Sequence, residues 1–164
     1  MADASYVAYH EAGHAIVDVL LGHRFDAVYV YEKSTLVRGN WYVGLVDGDP
    51  DAVYFRRDNA VAALAGPVAE ARYTGKTRDD AFRNKLGAGE CADVLNARRQ
   101  LADCGLPHFT FAAAVDETEE LVARHWPEIC AVAEVLVQKR KLEEREVVDI
   151  IRAATKGETN AVAV

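Results

Sequence analysis

From Ser5 to Leu21 the chain reads as one amphipathic helix: no proline interrupts it, Asp3 or Ser5 can cap its start, and Gly22 stands just past Leu20-Leu21. Phe25–Tyr31 and Asn40–Val46 are instead rich in β-branched and aromatic residues, which predicts strands of a small antiparallel sheet. A second helix opens near Asp51 or Asp58 and carries Val61, Leu64, Ala65 and Val68 at helical spacing, with Pro67 expected to kink or split it. A third follows Gly87-Ala88-Gly89, presents Val94, Ala97, Leu101 and Cys104 on one face, and stops at Gly105-Leu106-Pro107. Helical patterns then run from Ala112 to His125, from Pro127 to about Lys139 and from Glu143 to Ala154. The pattern predicts a mainly α fold, a helical bundle with a small antiparallel β-sheet. It forms one domain over residues 1–155, with a flexible C-terminal tail at 156–164 that lacks periodicity.

Composition narrows the function classes. The 164 residues carry a net charge of −7 with basic residues interspersed among acids, so the footprint of a nucleic-acid binder is absent. No apolar run approaches the roughly 18 residues of a membrane helix, and no basic, then hydrophobic, leader opens the chain. A protein without a membrane segment, in the cytoplasm, is expected. Cys91, Cys104 and Cys130 are odd in number and lack C-x-x-C spacing, which predicts reduced thiols rather than a disulfide framework or a cysteine zinc site.

The candidate chemistry lies in the first helix, as His10-Glu11-Ala12-Gly13-His14. A helix turns once every 3.6 or so residues, so His10 and His14 project from one face within reach of a shared ion. Glu11 can contact a water on that ion without coordinating it, the position a general base needs. Ala12 and Gly13 are small, as expected where another backbone or a substrate crosses closely. A catalytic zinc keeps three protein ligands and leaves a fourth position open, so a further acid or histidine must come from elsewhere. Glu70 is a candidate, and Asp18, four residues after His14, could accept from the second ring nitrogen of that histidine. His23, His108 and His125 have no partner at ligand spacing and read as surface or core histidines.

Three segments together resemble a known family, the peptidase domain of the FtsH-type membrane-anchored AAA+ zinc proteases. Tyr9-His10-Glu11-Ala12-Gly13-His14-Ala15-Ile16-Val17 is similar to its active-site helix. Leu64-Ala65-Gly66-Pro67-Val68-Ala69-Glu70 is similar to its Leu-Gly-Gly-Arg-x-Ala-Glu segment, and Gly87-Ala88-Gly89-Glu90-Cys91-Ala92-Asp93 resembles its Gly-Ala-x-x-Asp segment. The resemblance spans about Ser5 to Ala154 and implies His10, His14 and Asp93 as ligands of one Zn2+, Glu11 as catalytic base, and Glu70 as a structural acid. It further implies a zinc endopeptidase cleaving unfolded or flexible polypeptides.

Pro67 replaces the family's usual arginine, and Tyr31–Tyr42 departs from its strand-turn signature. No unfolding motor is expected here, so a separate AAA+ ATPase would have to deliver folded substrates. Gly75-Lys76-Thr77 mimics the end of a phosphate loop, but Glu70 stands where its first glycine belongs. Gly87-x-Gly89 follows no predicted strand and is no dinucleotide fingerprint. The alternative is a non-catalytic zinc-binding adaptor or assembly module of an FtsH-like system, against which the intact Glu11 argues. A zinc hydrolase of other amides is the third possibility.

Overall fold

The computed structural model describes residues 4–33, 36–38, 52–85 and 87–161. Its chain order is α1 (Ala4–Leu20), β1 (Ala27–Tyr29), β2 (Tyr31–Lys33), β3 (Leu36–Arg38), α2 (Ala52–Thr74) and α3 (Arg78–Phe82). There follow α4 (Ala92–Ala102), α5 (Phe111–Arg124), α6 (Trp126–Lys139), β4 (Lys141–Glu143) and α7 (Glu144–Ala161). The protein is mainly helical, as the pattern predicts. Among the described residues no helix is long and apolar enough to cross a membrane.

α1 ends one residue before the predicted stop, and the reason is visible in the backbone. Gly22 takes φ +75°, the left-handed conformation that costs glycine little. Its N–H donates to the Val19 carbonyl at 3.2 Å, and the His23 N–H to the Asp18 carbonyl at 2.9 Å. This pair of bonds is a Schellman closure of the helix.

α1 packs against α2 and α6, and α2 packs in turn against α4 and α5. Both helices bury small side chains completely: Ala8, Ala12 and Ala15 on α1, and Ala60, Ala65 and Ala69 on α2. A Cβ on Gly13 would lie 2.6 Å from both the Ala65 carbonyl oxygen and the Ala69 Cβ, so the expectation of a close backbone crossing at Gly13 is met. Gly13→Ala would force the helices apart, at a cost of about 1–3 kcal/mol.

α2 runs unbroken through Pro67. The proline removes the N–H that would reach the Ala63 carbonyl, a loss of about 3 kcal/mol. Burial of Val61, Leu64, Ala65, Val68 and Ala69 on either side of it offsets that loss, so the predicted split does not occur.

The strands differ from expectation in their pairing. β1 lies inside the predicted Phe25–Tyr31, but its antiparallel partner is β4, with Ala27 opposite Glu143, Val28 opposite Leu142 and Tyr29 opposite Lys141. β2 and β3 form a separate antiparallel pair. The predicted strand Asn40–Val46 lies outside the described residues. A three-residue strand has too few positions for alternation to register, which is why Lys141 and Leu142 carry no predicted element and Glu143 reads as a helix start, although Leu142 is fully buried. α7 continues to Ala161, past the Ala154 at which the sequence pattern places its end and into the expected tail.

Candidate metal centre

Three helices bring the site together. α1 supplies His10 and His14, α2 passes beneath them, and Asp93 sits in the first turn of α4. The loop into α4 is closed on itself by Asn84 N–H to Gly89 O at 2.9 Å and Cys91 N–H to Phe82 O at 2.7 Å, with Gly89 at φ +98°. That closure sets where α4 begins, and hence where Asp93 stands.

The outer ring nitrogens are each committed. His14 Nδ1 lies 2.8 Å from the Ala62 carbonyl oxygen, and His10 Nδ1 lies 3.0 Å from Glu70 Oε2. A carbonyl and a carboxylate only accept, so both Nδ1 atoms donate and the Nε2 atoms face inward. There they converge, with the two Nε2 atoms 3.2 Å apart, His10 Nε2 3.1 Å from Asp93 Oδ2, and His14 Nε2 3.8 Å from Asp93 Oδ1. His10, His14 and Asp93 thus form a group able to hold one metal ion.

The donor set fits such an ion. Two nitrogens bound at about 2.0–2.1 Å to a tetrahedral ion lie about 3.3 Å apart, close to the observed separation. Pinning of each outer nitrogen by a carboxylate or a carbonyl is the arrangement that orients metal-binding histidines. Room is left by a glycine: a Cβ on Gly66 would fall 2.3 Å from His14 Nε2 and 2.6 Å from His10 Nε2, in the space the two rings share.

Electrostatics point the same way. Burial alone would lower the His10 pKa, but bonds to Asp93 and Glu70 and the nearby charge of Glu11 outweigh it and push the group up to about 10. Burial would raise Asp93, yet the His10 bond and the two imidazole charges bring it down to about 2. Glu70 is likewise lowered: burial opposes this, and its bonds to His10 and Lys85 prevail. Without an ion, a proton on His10 Nε2 answers these carboxylates, and a cation would take its place.

Each residue singled out by sequence has a definite position. Glu11 is buried on α1 between the two histidines in sequence. Glu70 lies on the far nitrogen of His10, outside the convergent group. Asp18 does not reach His14, whose Nδ1 is taken by Ala62; it accepts from His23 Nδ1 at 2.7 Å, both side chains being buried. His125 lies 3.2 Å from Glu128 through Nδ1, and His108 is exposed. Cys91, Cys104 and Cys130 are free thiols.

Sequence reasoning missed Gly66 as a lining residue, the Ala62 carbonyl, and Lys85, whose Nζ is 2.6 Å from Glu70 Oε1. A Gly-Pro pair inside a helical pattern is a usable signal for the first; nothing in sequence marks the other two. No protein-family model matches the chain, and no curated protein matches it.

Proposed function

We propose that the protein is a zinc-dependent endopeptidase acting on unfolded or flexible polypeptide. The observation that carries this is the convergence of His10 Nε2, His14 Nε2 and Asp93 beside a buried glutamate on the same helix. Two histidines and one carboxylate leave an open position, whereas a purely structural zinc is usually closed by four protein ligands. Zinc held by these residues supplies Lewis acidity towards water and a scissile carbonyl.

The chain's own groups do the rest. Glu70 and the Ala62 carbonyl hold the two imidazoles in one tautomer and orientation. Glu11 accepts the proton of the attacking water on a carboxylate oxygen and passes it to the departing amine, so both proton transfers use one group. Choice of a peptide bond over another amide rests on the resemblance of the three segments to the FtsH-type peptidase.

Zinc analysis of the purified chain, with cleavage of casein before and after chelation, tests the reading. One zinc per chain and activity that is lost with the metal and returns with it are expected. Full activity of metal-free protein would refute it.

A further inference from the structure

Glu70 is the most deeply buried carboxylate beside the centre, with a side chain only 4 % exposed, and both of its oxygens are occupied. Oε2 takes the His10 Nδ1 proton at 3.0 Å, and Oε1 lies 2.6 Å from Lys85 Nζ. Lys85 is itself half in solvent, and its ammonium also stands 4.5 Å from the centre of the Tyr6 ring. Tyr6 is one helical turn before His10 on α1, while Glu70 is on α2. The ammonium therefore bears on both helices at the level of one ligand.

We infer that Lys85 is a positioning residue for His10, acting through Glu70. This rests on the metal-centre reading above. A carboxylate with two free oxygens can rotate and offer either one to an imidazole. With Oε1 held by an ammonium, Oε2 is fixed in direction, and the ring it accepts from is fixed with it. The same loop that carries Lys85 runs into α4 and Asp93, and the Cys91 N–H donates to the Phe82 carbonyl across its base at 2.7 Å. One loop thus sets two sides of the centre: Asp93 directly, His10 through Lys85 and Glu70.

The test uses Co2+ as an optical probe, titrated into metal-free protein. Lys85→Met should bind Co2+ at least about tenfold more weakly than wild type, with an altered visible spectrum and an unchanged melting temperature of the metal-free protein. Lys85→Arg should restore affinity and spectrum. The double variant Lys85→Met/Glu70→Gln should bind no more weakly than Glu70→Gln alone, since both act through one bond. Wild-type affinity and spectrum in Lys85→Met would overturn the inference and leave the metal centre standing. So would a loss that arginine does not restore, or one that accompanies a lower melting temperature, because Lys85 would then merely tether the loop. Wild-type protein that binds no Co2+ would remove the centre, and this inference with it.

Discussion

Two imidazole–carboxylate arrangements meet helix α1, one midway along it and one at its C-terminal end. At the end, His23 and Asp18 are close neighbours in sequence and bond to each other twice, through backbone at 2.9 Å and through side chains at 2.7 Å. Midway, His10 bonds outward to Glu70 from a different helix, and His14 bonds outward to the Ala62 carbonyl. The first arrangement closes the helix. The second leaves two ring nitrogens and a carboxylate pointing at one another. An Nδ1 bond to a carboxylate, which His10 and His23 share, does not mark a candidate metal ligand; convergence of Nε2 with further donor atoms does.

The largest effect expected is from Gly66→Ala. The new methyl would occupy the space shared by the two Nε2 atoms, and alanine is favoured over glycine in a helix by about 1 kcal/mol. Zinc after dialysis should fall from one per chain to none, with the helical signal kept. One retained zinc would mean the rings can part, and the comparison would fail.

Asp93→Asn and Glu70→Gln come next. The first removes a ligand and should weaken zinc binding far more than the second, for which a loss of about 10–100-fold is expected. Competition with a coloured chelator ranks them, and the reverse order would make Glu70 the ligand.

Acidity gives a graded effect. The His10 pKa stands at about 10 against an ordinary 6.5, so its contribution to stability of the metal-free fold is complete below 6.5 and is lost as pH rises through 10. Asp93 stands at about 2 against 3.8, so its contribution is present above 3.8 and is lost as pH falls through 2. These two groups therefore support the metal-free fold most between those ordinary values, which denaturation across pH can check. Zinc must displace the His10 proton, so apparent affinity should rise about tenfold per unit of pH near neutrality.

The smallest effect on metal is expected at the other arrangement. His23→Gln should leave zinc content unchanged while costing about 1–3 kcal/mol of stability, the range for disturbing a buried polar pair. A change in zinc content would couple the two regions and blunt the contrast.

The pairing of His10 and His14 is legible because helical periodicity alone puts positions four apart on one face. The crossing at Gly13 was legible too, since only small residues permit it. Asp93 became a candidate through the resemblance of Gly87–Asp93 to a family segment, since its distance along the chain from His14 hides it from periodicity. The roles of Ala62, Gly66 and Lys85 depend on how α2 and the loop before α4 are placed, which no local pattern encodes. Pro67 misled in the opposite direction: its local penalty is real, but burial along α2 is larger. β4 was missed because its three residues are defined by a partner more than a hundred positions away, not by their own pattern.

The proposed chemistry turns on Glu11 as the base beside a metal held by other residues. Zinc content and casein hydrolysis of Glu11→Gln, measured beside wild type, test it most directly. One zinc per chain is expected in both proteins and hydrolysis only in wild type, because the amide keeps the shape of the side chain but cannot take the proton. Hydrolysis by Glu11→Gln at the wild-type rate, with zinc in place, would contradict it.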